Sequence, residues 1–166
     1  MQKVIGSIIV IVTCTAFGFE KSKEIQLHLD SLGELKKLFT LLRSEIQYTK
    51  APFEEVFLKL SKKTSGIYRE WLIYISQKLQ KREEESLHEV WITAIYKYLG
   101  DCKLTKDELE ELCNVGKTLG YIETMDLYLT QLDFSIETTR EELKSKKKLY
   151  QSMGIMCGIF LVIVLL

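Results

Sequence analysis

KSKEIQLHLDSLGELKKLFTLLRSEIQY, residues 21–48, decides the fold. Its apolar residues Ile25, Leu29, Leu32, Leu35, Phe39, Leu42 and Ile46 recur at gaps of three and four, which puts them on one face of an α-helix. A strand would need strict alternation of apolar and polar residues, and no segment of the chain sustains it. The same helical spacing continues on both sides. With a single proline, Pro52, and few turn dipeptides, the middle of the chain reads as all helix.

Toward the amino terminus nothing breaks the helix, since Gly18 alone does not stop one, and residues 4–19 are apolar or weakly polar throughout. At the other end, residues 149–166 carry no charged side chain and follow Lys144, Lys146, Lys147 and Lys148. A helix rises about 1.5 Å per residue, so a bilayer core of about 30 Å asks for roughly twenty apolar residues. The second segment nearly meets that length, and the first is a few residues short, which local thinning of the bilayer accommodates. The expected organisation is an N-terminal transmembrane helix (1–20), a cytoplasmic helical domain (21–148) and a C-terminal transmembrane helix (149–166). A cleaved leader is the competing pattern for the first segment. Ile11-Val12-Thr13-Cys14 is close to a lipoprotein cleavage box, but Thr13 stands where a smaller residue is wanted.

Lysine placement sets the orientation. Lys21 and Lys23 flank the first apolar segment, Arg140 and the four lysines flank the second, and only Lys3 lies outside. Cations collect on the cytoplasmic side, so residues 20–148 are expected in the cytoplasm with both termini across the membrane. Lys21, Lys23, Lys144, Lys146, Lys147 and Lys148 are then membrane-interface anchors. That middle holds all 23 acidic residues and all but one of the 23 basic ones, a balance that gives no electrostatic reason to bind nucleic acid. Cys102 and Cys113 are too few for a disulfide framework and are expected to be small buried residues in a reducing compartment.

Within the middle, Thr49-Lys50-Ala51-Pro52 ends the first helix, and Pro52 is expected at the first position of the second. Phe53, Val56, Phe57 and Leu60 form its apolar face. A third helix after Ser65-Gly66 buries Tyr68, Trp71, Leu72, Ile75 and Leu79, and residues 81–85 read as a loop or frayed end. Ser86 with Glu89, and Thr105 with Glu108, have capping-box spacing and start two more helices, closed by Gly100 and Gly120. The last helix starts near Glu123, shows Met125, Leu129, Leu132, Ile136 and Leu143, and runs into the second apolar segment. The architecture is a bundle of about six helices.

Catalytic signals are absent. His28 and His88 have no partner at metal-ligand spacing and are expected on exposed polar faces. No glycine-rich phosphate loop and no nucleophile elbow occurs, so the chain reads as no enzyme, needing neither cofactor nor metal. Two surfaces suit a partner. One is the corner formed by Glu45, Tyr48, Pro52 and Glu55. The other is the acidic run Asp107, Glu108, Glu110 and Glu111, which also has a plain role at the positive end of a helix and which 83–85 with Glu89 would extend. Gly154 and Gly158 form a G-x-x-x-G for close packing against another helix in lipid, the first apolar segment or a second copy of the chain.

The chain also resembles a known family. Lys148-Leu149-Tyr150-Gln151-Ser152-Met153-Gly154, leading to the apolar run from Gly158, is similar to the approach to the final span in stage III sporulation protein AB proteins. Leu42-Arg43-Ser44-Glu45-Ile46-Gln47-Tyr48 with Pro52-Phe53-Glu54-Glu55 resembles an internal segment of that family, as do Thr118-Leu119-Gly120 and Phe19-Glu20. Where the family pattern carries an aspartate after the Leu-Gly element, the nearest acid here is Glu123. The resemblance implies a membrane component of the channel complex between mother cell and forespore, on the mother-cell side in the outer forespore membrane. It implies a fold similar to the cytoplasmic domains of type II secretion platform proteins, and a partner in the cytoplasmic ATPase stage III sporulation protein AA, besides other membrane channel components. The alternative is a passive scaffold that self-associates through its membrane helices without binding an ATPase.

Overall fold

The computed structural model describes the backbone of residues 2–49, 51–81 and 86–165. It describes side chains from 20 to 149 within those ranges, Lys21 excepted, together with Ser152, Met153 and Met156. Among the described residues there are six α-helices and no strand: α1 (Gln2–Thr49), α2 (Phe53–Ser61), α3 (Gly66–Gln80), α4 (Leu87–Ala94), α5 (Lys106–Val115) and α6 (Ile122–Leu165). A π-helical turn, Ile95–Leu99, extends α4. Two units form, residues 1–30 with 136–166, and residues 31–135.

Among the described residues, no helix is long and apolar enough to cross a membrane. The side chains of 4–19 and nearly all of those in 149–166 lie outside the described set, and Gly154 and Gly158 lie there too. The expected loop at 81–85 is likewise almost wholly outside it.

The 31–135 unit has a continuous apolar core. From α1 it takes Leu32, Leu35, Phe39 and Leu42, as the stripe predicts, and also Leu38, one step off the stripe. Ile25, Leu29 and Ile46 are only half-buried. Val56, Phe57 and Leu60 come from α2, Tyr68, Trp71, Leu72 and Ile75 from α3, and Val90, Trp91 and Ala94 from α4. Ile95 and Leu99 on the π-helical turn, Leu112 and Val115 on α5, Leu119, and Met125, Tyr128 and Leu132 on α6 complete it.

Trp91 is the centre of this core. Its ring meets Phe39 edge-on at 6.2 Å, Phe57 at 6.0 Å and Trp71 at 4.7 Å, one partner from each of three helices. Its indole Nε1–H donates to the Leu112 carbonyl at 2.8 Å, away from solvent. The end of α5 is shaped for that bond. The last four carbonyls of a helix lack intrahelical partners. Here Gly116, Lys117 and Thr118 donate to Cys113, Asn114 and Val115 in tightened turns, which leaves the Leu112 carbonyl to the indole. Gly116 also makes the room, since a Cβ there would lie 2.2 Å from Trp91 Cδ1.

Both capping boxes form. Ser86 and Thr105 accept from the backbone N–H of Glu89 and Glu108, whose carboxylates accept back from the cap N–H groups at 2.8 Å. Two boundaries differ from the sequence expectation. Pro52 is the N-cap of α2 and not its first residue, because its extended backbone (φ −61°, ψ 148°) turns its carbonyl to accept from the Glu55 and Val56 N–H groups. α5 ends at Val115 with Gly116 as its cap, four residues before Gly120, because Trp91 takes the carbonyl that the next turn would have used. At Gly66, φ of +61° lies in the left-handed region that glycine enters without a steric penalty.

Gly116→Ala is expected to destabilise the full chain by about 1–3 kcal/mol, the usual cost of forcing an extra carbon into a packed core. Gly120→Ala, where a Cβ meets nothing within 4 Å, should stay within about 0.5 kcal/mol of the parent. Urea unfolding followed by tryptophan fluorescence in detergent measures both, and equal midpoints for the two variants would contradict the close approach to Trp91.

Candidate functional site

The corner expected from Glu45, Tyr48, Pro52 and Glu55 forms where α1 ends and α2 begins, and its members do different things. Glu45 is not open for recognition, since its side chain is only 12% exposed. One carboxylate oxygen takes the Lys59 ammonium at 2.6 Å and the other takes Lys63 at 3.5 Å, from 14 and 18 residues along the chain. Thr49 Oγ1 bonds back to the Glu45 carbonyl one turn earlier. The Lys59 contact, with Lys63 behind it, holds the Glu45 carboxyl below its ordinary value against the opposing effect of burial. Glu45 is thus a clasp between α1 and α2. Tyr48, at 78% exposure, Pro52 and Glu55 face solvent and remain available to a partner.

The acidic run divides in the same way. Asp107 and Glu110 are exposed on one face of α5. Glu108 is half-buried and closes the capping box with Thr105. Glu111 is half-buried and accepts from Gln131 Nε2 of α6 at 3.3 Å. Burial, then the neighbouring Glu108 and Asp107 charges, pushes the Glu111 carboxyl upward. Four acids in sequence therefore offer two to solvent. Glu89 is exposed and its carboxylate accepts from the Ser86 backbone N–H, and 83–85, through which the run was expected to extend, lie outside the described residues.

The histidines and cysteines depart from expectation. His28 and His88 are half-buried and not exposed, because each sits at the border of an apolar stripe. Cys102 and Cys113 are free thiols, half-buried and not buried. Burial is the leading cause that pushes both thiols up, away from the reactive thiolate. Among the described residues no group of three or more His, Cys, Asp or Glu side chains is placed to hold a metal ion.

Sequence reasoning missed two surface features. Lys97 on the π-helical turn lies over the Tyr74 ring at 4.5 Å and the Tyr98 ring at 5.3 Å, and the two rings are 5.4 Å apart. Leu127 and Phe134 on α6 are 64% and 75% exposed, one heptad apart. The second was findable, since both fall off the Met125–Leu129–Leu132 stripe. The first needs the contact between α3 and the π turn, which local spacing does not encode.

Of the lysines expected as interface anchors before the second apolar segment, Lys144, Lys147 and Lys148 are exposed, whereas Lys146 is half-buried and paired with Glu142 one turn earlier. Lys23 is exposed, and the side chain of Lys21 is outside the described set.

The sequence profile of the stage III sporulation protein AB family matches residues 3–166, and the chain belongs to that family. Stage III sporulation protein AB of Bacillus subtilis (strain 168) is 24% identical over 172 residues, covering 100% of both chains. A solved structure of stage III sporulation protein AB (SpoIIIAB) superimposes with a TM-score of 0.65 at 22% identity, over 71% of this chain and 97% of its own. The helical architecture is therefore shared with it.

The Glu45 clasp has a pH signature. Its carboxyl is lowered in the folded chain, so its stabilisation is fully present above the unfolded value, about 4.3. It is lost as pH falls through the lowered folded value. Glu45→Gln should therefore unfold earlier than the parent in urea at pH 7, and the gap should close as pH drops below about 4. A gap independent of pH would mean that the ion pairs with Lys59 and Lys63 do not hold the corner.

Proposed function

We propose that this member of the stage III sporulation protein AB family is a non-enzymatic membrane platform of the sporulation channel complex. Residues 4–19 and 149–166 cross the bilayer, and residues 20–148 stay on the cytoplasmic, mother-cell side of the outer forespore membrane. There they dock the cytoplasmic ATPase of the same complex, stage III sporulation protein AA. The single observation that carries this reading is the pairing of each apolar end with cations on the side facing the middle: Lys21 and Lys23 after the first, and Lys144, Lys146, Lys147 and Lys148 before the second.

The described residues support the two remaining parts. The carboxylates with unusual environments are each accounted for structurally: Glu45 by two lysines, Glu89 by its cap, Glu111 by burial beside α6. Those are structural environments of the kind a scaffold uses. For docking, Tyr48, Pro52 and Glu55 at one corner and Asp107 and Glu110 on α5 are the members of the two candidate surfaces that solvent reaches. Two membrane helices would also fix the orientation of the middle toward a soluble partner more tightly than one.

Two measurements test the reading. The chain should resist carbonate extraction, and protease should digest its middle in permeabilised but not in sealed cells. Tyr48→Ala with Glu55→Lys, or Asp107→Lys with Glu110→Lys, should lower the ATPase co-purified with the full chain at least tenfold in one of the two pairs. Wild-type recovery with all four substitutions together would remove both surfaces as docking sites, and digestion of the middle in sealed cells would reverse the orientation.

A further inference from the structure

In the unit formed by residues 1–30 and 136–166, α1 and α6 border an open groove of about 300 Å³ lined by Ser22, Lys23, Gln26, Leu143 and Lys147. Two of the five lining residues are lysines, one from each helix. Among the described residues neither Lys23 nor Lys147 has a carboxylate partner, whereas the neighbouring Lys146 is held by Glu142. The Gln26 amide is directed to Asp30 at 3.0 Å, which leaves the Ser22 hydroxyl as the other polar group of the groove, and Leu143 supplies an apolar wall. The groove lies three residues beyond 4–19 on one helix and two before 149–166 on the other.

We propose that this groove holds the phosphate of an anionic phospholipid, with Lys23 and Lys147 on the phosphate oxygens, Ser22 donating a hydrogen bond and Leu143 against the adjoining glycerol and acyl carbons. The inference rests on the membrane reading above and goes beyond a general lysine collar, because it separates Lys23 and Lys147 from their neighbours. Two lysines from two helices, without carboxylate partners among the described residues and lining the same largely apolar groove as Leu143, match a lipid headgroup with its charge above its carbon chains. A free anion would gain nothing from Leu143.

The test uses the full chain in detergent, with native mass spectrometry counting retained phosphatidylglycerol or phosphatidylcholine. The wild type should retain phosphatidylglycerol preferentially. Lys23→Gln with Lys147→Gln should lower retention at least fivefold, and Lys144→Gln with Lys148→Gln less than twofold. Equal losses for the two pairs would reduce the site to a generic cationic collar and overturn it. Displacement of the lipid by millimolar inorganic phosphate would overturn it in favour of a free-anion site, and indifference between the two lipids would leave no headgroup recognition. Carbonate extraction of the same variants separates the two readings. A chain that resists extraction but shows no lipid preference refutes the groove alone, and a wild type released by carbonate refutes the groove together with the membrane reading.

Discussion

The hydrogen bond from Trp91 to the Leu112 carbonyl is the constraint on which the packed unit depends. A buried carbonyl left without a donor costs about 1–3 kcal/mol. The end of α5 accepts that risk, because Gly116 donates to Cys113 and leaves the Leu112 carbonyl open to the indole. Once the indole is fixed there, its two faces and edges are committed to Phe39, Phe57 and Trp71, and so to α1, α2 and α3 together. Each aromatic pair adds about 0.5–1.5 kcal/mol beyond the area it buries. The ion pairs of α1 with α6, Lys36 with Asp133 and Arg43 with Asp126, keep 34–55% of their side-chain surface exposed. Exposed pairs contribute about 0–1 kcal/mol, so these set the register of two helices that the core already holds together.

Most of the fold was legible because its information is local. Helix faces follow from a period, and capping boxes from a spacing of three, so the starts of α4 and α5 and most of the inward faces of α1 to α4 could be read directly, although Phe53 and Leu79 are only half-buried. What was not legible depends on a second element. Leu38 joins the core because α1 is covered on more than one side, which widens its buried face beyond a single stripe, and Tyr128 of α6 joins it edge-on against Phe39 at 4.6 Å. Gly116 rather than Gly120 ends α5 because of a tryptophan 25 positions earlier. The π-helical turn at Ile95–Leu99 has no residue signature, although its exit does: at Gly100 a Cβ would meet the Tyr96 carbonyl oxygen at 2.9 Å.

The candidate surfaces show the same division between local and distant information. Spacing assembled Glu45, Tyr48, Pro52 and Glu55 at one corner, and the structure puts them there. Spacing could not say that Lys59 and Lys63 neutralise Glu45, because that contact spans a turn and a helix. Helical geometry alone would have split the acidic run, since Asp107 and Glu110 are three apart, as are Glu108 and Glu111, and the two pairs point to different faces. One face is spent on capping and on α6, which leaves an exposed acidic face smaller and less charged than the run of four acids suggests.

Charge placement along the chain bears on how such a surface stays available. The lysines at 144–148 supply enough positive charge that, without them, the middle has a clear excess of acids. An anionic leaflet attracts basic residues by about 1 kcal/mol each close to the surface, and the attraction fades within a Debye length of about 8–10 Å. On the membrane reading proposed above, attraction would be confined to the residues beside the apolar ends, while the acid-rich remainder would gain nothing by lying on the bilayer. Had the same lysines been spread through the middle, the net charge would be identical, but the exposed faces around Tyr48 and Asp107 would compete between lipid and partner. On that reading, segregating the cations next to the apolar segments would remove that competition. It ties the membrane reading and the docking reading to one feature, the order in which charge is laid down along the chain.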